Sequence, residues 1–376
     1  MNKILIMYGL DAGGSERVAV TLANAWAERG DNVSILSLSD GESHYSLDER
    51  INLTRLNCAK PSKNIFYAFV NNGQRLYRIR HFLRRQPPSW ILGIASTMNI
   101  LSIVANIGLK HRVIATEHIH PPAIETSLTW KLSRKLLYRL SACVTAPTAE
   151  TADWLKRHTS AQRVVDIPNP IRMPLPKLLP KVDPGEYIDP TNNLILAVGR
   201  LEPQKGFDLL LNAYSSLFRG NSNWRLAILG EGTEREDLAD YVRAEDMDSS
   251  VFLPGVVGNM GDWYRRADVF VLSSRFEGFG YVLAEAMAHG CACISFDCET
   301  GPSTIITNEN EGILVPPENV SALGKELQRL MADENLRTSL GQYGQERATD
   351  FREEKIIERW EDLFRSIAQA EQLPIV

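Results

Sequence analysis

Short apolar runs alternate with amphipathic helical patterns along this chain, and the alternation happens twice. In the first half the runs cover residues 4–8, 33–38, 90–95, 113–117, 143–147 and 164–167. In the second they cover 194–199, 225–229, 251–253, 269–272, 292–296 and 312–315. Such runs predict buried parallel strands, and the intervening patterns predict helices covering both faces of each sheet. Between the two sets stand Pro168, Pro170, Pro174, Pro176, Pro180, Pro184 and Pro190. That proline density forbids a long helix and marks a connection between domains. The reading is two α/β domains, 1–170 and 171–351, with three helical stretches at 320–332, 335–348 and 352–370 closing the chain. A length of 376 residues suits two such cores. The opening Met1-Asn-Lys-Ile-Leu-Ile-Met run stops at Asp11 without a small-residue cleavage site, and so reads as a first buried strand.

The candidate chemistry gathers where strands give way to helices. After the run at 269–272 comes Glu277-Gly278-Phe279-Gly280-Tyr281, and Glu285 follows about one helical turn into the next helix. Ionised carboxylates accept several hydroxyl hydrogen bonds, so this pair suits a polyhydroxylated ligand. After the run at 194–199 come Arg200, Lys205 and Gly206 at the start of another helix. Two cations beside a helix N-terminus match a diphosphate and can neutralise a departing one without a metal. The first strand-to-helix loop carries Gly13 and Gly14, which let another molecule approach the backbone. It lacks the spacing of a dinucleotide fingerprint, and no acid stands where a ribose would need one, which argues against a nicotinamide-binding domain. Thr116-Glu117-His118-Ile119-His120 ends a first-half strand and offers two histidines.

In ordered combination these segments resemble the retaining glycosyltransferases of family 4. The resemblance runs through Gly13-Gly14-Ser-Glu-Arg, Thr116-Glu-His118, Ile167-Pro-Asn-Pro, Gly199-Arg200 with Lys205-Gly206, and Leu229-Gly-Glu-Gly232. It continues through Phe252-Leu-Pro-Gly255, Glu277 with Glu285, and Gly312-Ile-Leu-Val-Pro. It implies the GT-B fold: two Rossmann-like, doubly wound parallel-sheet domains facing a cleft, with the last helix packed back on the first domain. By the same resemblance a sugar moves from a nucleotide diphosphate-sugar, a UDP-sugar before a GDP-sugar, to a hydroxyl of a lipid-linked or polysaccharide acceptor. The anomeric configuration is retained, and no cofactor or metal is required. Arg200 and Lys205 would neutralise the diphosphate, and Glu277 with the N–H groups of Gly278, Phe279 and Gly280 would position the sugar. Glu285 would hold the ribose, Gly255, Val256 and Val257 the base, and His118, oriented by Glu117, would contact the donor sugar. Gly278-Phe-Gly280-Tyr281 departs from many relatives, which carry proline at the third position. A UDP-sugar epimerase of similar fold and a non-catalytic GT-B-like partner protein remain alternative readings. The first requires acid and base groups at the sugar carbon, and the second would be expected to have lost Arg200, Lys205 or the glutamates.

Composition narrows the rest. Residues 1–170 hold 21 Lys and Arg against 13 Asp and Glu, while the remainder holds 20 against 33. The basic surplus concentrates in the segments 75–85, 110–112 and 131–139, two of which read as amphipathic helices. Basic amphipathic helices lie on anionic membranes, so peripheral contact with the inner face of the cytoplasmic membrane is expected. No nucleic-acid-binding pattern accompanies the charge. Cys291, Cys293 and Cys298 lack metal-site spacing and read as small core hydrophobes. Asp246-Met-Asp248 follows a charged helical pattern rather than an apolar strand, and reads as a solvated helix end.

Overall fold

A computed structural model describes the chain except residues 12, 60–64, 124–125, 219–222 and 372–376. The chain divides into two units, one formed by Met1–Pro170 with the stretch from Glu353 on, the other by Ile171–Arg352. The first is built on seven parallel strands: β1 (Asn2–Met7), β2 (Asn32–Ser37), β3 (Asn52–Arg55), β4 (Trp90–Ile94), β5 (Arg112–Thr116), β6 (Cys143–Ala146) and β7 (Val164–Asp166). They lie in the order β3-β2-β1-β4-β5-β6-β7. The second has six: β8 (Asn193–Val198), β9 (Trp224–Leu229), β10 (Val251–Gly255), β11 (Val269–Leu272), β12 (Ala292–Phe296) and β13 (Ile313–Val315). Their order is β10-β9-β8-β11-β12-β13, again all parallel.

Continuous apolar strands bury both faces, and in the second unit successive residues serve opposite cores. Ile195 and Ala197 join one apolar cluster with Leu210, Leu211, Leu323 and Leu327. Leu194 and Leu196 join the other with Leu283, Ala286 and Met287. This period of two is the reason strands this short are stable only when sandwiched between helices. Within the run at 4–8, residues 4–7 are indeed a buried strand, β1, paired with β2 and β4, while Tyr8 lies beyond it and is exposed. Strand β3 is absent from the sequence reading. Asn52-Leu-Thr-Arg55 is half-exposed at the sheet edge, so it needs no apolar run to be recruited.

The last helix, Glu353–Ala370, turns one apolar stripe onto the first unit. Trp360 meets Trp26 edge-on with centroids 6.0 Å apart, and Phe364 lies 4.8 Å from Trp90. Under them the fully buried Lys3 pairs with Asp31 at 2.5 Å and Glu361 at 2.7 Å, its ammonium 4.5 Å from the Trp26 ring. A buried cation is tolerated here because two carboxylates and an aromatic face replace its water. Phe364→Ala is expected to destabilise the first unit by about 3–5 kcal/mol, read as a drop in the urea midpoint of its unfolding.

Candidate functional site

In the second unit β8 has β9 on one side and β11 on the other, so the strand order reverses there. Open parallel sheets take ligands at the carboxyl ends of strands where this reversal occurs. The loop after β8 carries Gly199, the exposed Arg200, a 3-10 turn over Pro203–Lys205, and Gly206; the helix Phe207–Phe218 follows. The loop after β11 carries Ser273, Ser274 and Glu277. Besides the bond from Arg275 Nη1 to the Pro203 carbonyl at 2.6 Å, four contacts join the two loops. Ser273 Oγ donates to the Lys205 carbonyl at 2.9 Å, Arg275 N–H to the Gln204 carbonyl at 2.8 Å, and Gln204 Nε2 to the Phe276 carbonyl at 2.9 Å. The fourth is the ion pair of Lys205 Nζ with Glu277 Oε1, at 2.6 Å. Gly206 makes this approach possible. It sits at φ 61°, and a Cβ there would collide with the Ser273 carbonyl oxygen.

Lys205 lies over Gly199, its methylenes 3.0–3.1 Å from where a side chain there would begin. Glu277 is buried; it also accepts from Ser274 Oγ at 2.7 Å, and its carbonyl accepts from Thr300 Oγ1 at 2.5 Å. Gly278, Phe279 and Gly280 are buried behind it, and Gly280, at φ 92°, opens the helix Tyr281–Ala288 without a side-chain cap. Glu285 sits inside that helix, buried, with Oε2 accepting from the Tyr264 hydroxyl at 3.1 Å. The two glutamates therefore have separate partners within one unit. Gly255 ends β10 and accepts from Gly230 N–H at 2.8 Å, with Val256 exposed and Val257 half-buried beyond it. Sequence reasoning missed Gln204, Tyr264, Ser274 and Thr300. Ser274 stands three residues before Glu277 and could have been noticed; Tyr264 is 21 residues from Glu285 and carries no local signal.

The remaining candidates lie in the first unit, whose strand order reverses between β1 and β4: Gly13 and Gly14 follow β1, and His118 follows β5, the strand beside β4. A cavity of about 570 Å³ is lined there by Tyr8, Ser15, Ser96, Glu117, His118 and Arg134, among others. Gly13 caps the helix Gly14–Glu28, which has no side-chain cap, and Gly14 is exposed with open space around it. Glu117 does not orient His118 as the sequence suggests. It is buried instead among Ser96 Oγ at 2.7 and 2.9 Å, the Tyr138 hydroxyl, and Arg134 at 3.9 Å. Burial pushes its carboxyl pKa up, while the Tyr138 bond, the Arg134 charge and the Ser96 bond pull it back.

Thr116 is what holds His118. Its hydroxyl donates to the Gly93 carbonyl at 2.6 Å, so toward His118 Nε2, 2.9 Å away, it must accept. The ring is thus the Nε2–H tautomer, and Nδ1 is a buried acceptor with no hydrogen-bond partner among the described residues. Burial draws the His118 pKa down to about 4, which leaves the ring neutral at pH 7. His120, the other candidate, is core: Nδ1 meets Thr151 Oγ1 at 3.1 Å and the ring packs on Trp154.

Among the described residues no cluster of three or more His, Cys, Asp or Glu could hold a metal. The three clustered cysteines are buried, and burial pushes the Cys291 and Cys298 thiols up to about 12. Asp246 and Asp248 are exposed at the end of the helix Arg235–Ala244.

Comparison with known proteins agrees with this geometry. The family described as Glycosyl transferases group 1 matches residues 181–347, and Glycosyltransferase Family 4 matches residues 12–173. The chain is 27% identical to the amylovoran biosynthesis glycosyltransferase AmsD of Erwinia amylovora, covering 96% of this chain and 99% of that one. It is 28% identical, over 97% and 98%, to a Campylobacter jejuni protein. That relative is named GalNAc-alpha-(1->4)-GalNAc-alpha-(1->3)-diNAcBac-PP-undecaprenol alpha-1,4-N-acetyl-D-galactosaminyltransferase. In fold it resembles the crystal structure of Anabaena Alr3699/HepE in complex with UDP, with TM-score 0.79 at 15% identity over 97% and 100% of the chains.

Gly206→Ala is expected to destabilise the second unit by at least about 1–3 kcal/mol, because it adds a collision to a left-handed backbone; urea unfolding measures it. For His118 the sign follows from its depressed pKa. The unfolded ring takes its proton near 6.5 and the folded ring near 4, so stability falls as pH drops through that window. His118→Gln should lose less stability than wild type between pH 7 and 4.5, compared by urea midpoints.

Proposed function

Because the chain belongs to the family 4 glycosyltransferases, of GT-B architecture, we propose that it transfers a hexose or N-acetylhexosamine from a UDP-sugar to a hydroxyl of a lipid-linked or polysaccharide acceptor, retaining the anomeric configuration. The observation that carries this reading is the Lys205–Glu277 pair at the β8/β11 reversal, with Arg200 exposed beside it. The named activities of the Erwinia and Campylobacter relatives support the acceptor class. UDP in the Anabaena structure supports the donor.

In this mechanism Arg200 and Lys205 take the donor diphosphate, and their charges stabilise the negative charge that builds as the bond from C1 to the phosphate oxygen breaks. The acceptor oxygen forms its bond to C1 on the same face, and its proton passes to a donor phosphate oxygen. UDP leaves with that proton, so charge balances without a metal. As Lys205 turns to phosphate, Glu277 gives up its internal partner and accepts hydrogen bonds from sugar hydroxyls, with Ser274 still holding it. Glu285 holds the ribose beside Tyr264, the backbone from Gly255 to Val257 borders the base, and the backbone N–H groups of Gly278, Phe279 and Gly280 stand near the sugar. On the first unit Gly13 and Gly14 admit a close ligand, and His118 Nδ1 accepts a substrate hydroxyl. A lipid-linked acceptor would bring the enzyme to the inner face of the cytoplasmic membrane as a peripheral protein.

A thermal-shift panel of UDP, GDP, ADP and NAD tests the donor. UDP at 100 times its dissociation constant should add about 2.7 kcal/mol of stability. Lys205→Ala should weaken UDP binding by about 1.5–3 kcal/mol, the worth of a hydrogen bond to a charged group. Stabilisation by NAD alone would sink the proposal. Glu277→Gln should keep UDP binding and lose transfer; equal turnover of UDP-sugar by this variant would remove Glu277 from the mechanism.

A further inference from the structure

The turn Gly230-Glu231-Gly232 follows β9 and takes no part in the transfer described above, yet it joins the loop that bears Arg200 to the bend at Gly255. Its backbone packs on the Arg200 loop. A side chain at Gly230 would collide with the Gly199 carbonyl oxygen, and one at Gly232 with that of Leu201. Leu201 N–H donates to the Glu231 carbonyl at 2.8 Å, and Glu234 N–H to the Leu201 carbonyl at 2.9 Å. Toward β10, Gly230 N–H donates to the Gly255 carbonyl at 2.8 Å. Glu231 therefore stands on a fixed backbone between two loops. Its side chain reaches the end of β10: Oε1 lies 3.0 Å from where a side chain at Gly255 would begin. The same oxygen accepts from Arg235 Nη1 at 2.8 Å, and Arg235 Nη2 donates to the Leu253 carbonyl at 2.9 Å. The carboxylate is half exposed, and Oε2 has no hydrogen-bond partner among the described residues. An arginine anchored on β10 thus holds one oxygen of this carboxylate against the Gly255 bend and leaves the other open.

We propose that Glu231 reads the base of the donor: its open carboxylate oxygen accepts the ring N–H of uracil beside the backbone of Gly255 to Val257. The inference rests on the donor reading above and names the side chain that selects the nucleotide. An ionised carboxylate only accepts hydrogen bonds, and beside a diphosphate it would oppose binding. Its place is therefore at the uncharged end of the nucleotide, where ring edges carry donors. Uracil offers one ring N–H between two carbonyl groups. Guanine offers two donors side by side and matches both oxygens of a carboxylate, one of which Arg235 already holds. Cytosine and adenine put a lone pair at the corresponding ring nitrogen, which a carboxylate repels. One open oxygen, aimed by an arginine, fits uracil.

Calorimetric titration of the full chain with UDP, with UDP methylated at the ring N–H, and with pyrophosphate tests this. Wild type should bind UDP about tenfold more tightly than the methylated form, the low end for a hydrogen bond to a charged group because Glu231 is half exposed. Glu231→Ala should bind the two equally. Arg235→Gln should fall between them, because the carboxylate is no longer aimed. Pyrophosphate affinity should not fall in Glu231→Ala, which shows that the variant folds and keeps its diphosphate site. A loss shared by UDP and pyrophosphate makes Glu231 a structural residue and overturns the proposal. Equal affinity of wild type for UDP and its methylated form overturns it too. Discrimination that Glu231→Ala retains in full means that other groups read the N–H, and this overturns the proposal while the donor reading stands. Binding of GDP and not UDP by wild type sinks the donor reading, and this inference with it.

Discussion

The ion pair between Lys205 and Glu277 closes the gap between two loops that leave adjacent strands, and the rest of the second unit's site is arranged around it. Both groups are largely withdrawn from water, which is costly for each charge alone. The cost is met by a 2.6 Å contact, by Ser274 on the same carboxylate oxygen, and by a backbone that cannot drift, because Ser273, Gln204 and Arg275 bind the loops to one another. The pair exists only because β8 and β11 are neighbours, although Lys205 and Glu277 stand 72 residues apart in the chain. A glycine at 206 is the local condition, since any side chain would push the lysine loop away from Ser273. A pair held this way is preorganised yet exchangeable: in the proposed transfer an incoming diphosphate would compete for the lysine and incoming hydroxyls for the glutamate.

The first unit presents a neutral acceptor above a buried hydrogen-bond network. Glu117 lies under the cavity, saturated by Ser96, Tyr138 and Arg134, and Asn99 joins the network through the Tyr138 hydroxyl at 3.1 Å. Asn99 also donates to the Thr116 carbonyl at 3.0 Å and accepts from its N–H at 2.9 Å, fixing the end of β5. That end in turn sets the Thr116 hydroxyl, and the hydroxyl sets the tautomer of His118. A chain of satisfied hydrogen bonds thus delivers one unsatisfied acceptor to a cavity wall. Burial keeps that acceptor neutral, so it can take a hydroxyl proton's hydrogen bond at physiological pH.

Strands with apolar residues at every position were legible because both sheet faces are covered, and no partner is needed to recognise a run such as 269–272. Strand β3 was not, because an edge strand half in water can be built from Asn-Leu-Thr-Arg. Glu277, Lys205 and Gly206 were legible as segments near strand ends. Tyr264 was not, since its link to Glu285 is a contact between two helices with no shared sequence period. The role of Glu117 was misread for a related reason. Its carboxylate is taken by Ser96, Tyr138 and Arg134, which other segments of the chain bring to it, while Thr116 takes His118.

The basic segments show the same division. Charge counting located both of them, yet it could not tell Arg80, which donates to the Ala105 and Ile107 carbonyls, from Lys131 and Lys135, which stand in water. The two parallel α/β sheets, the proline-rich connection and the strand-end loops that carry Arg200, Lys205 and Glu277 were written locally, because apolar period, proline and glycine act within a few residues. Tertiary structure alone decided which carboxylate is paired, which histidine faces a cavity and which basic helix leaves its lysines in water. Those outcomes depend on burial and on neighbours brought together by strand order, and neither is written in any local stretch of chain.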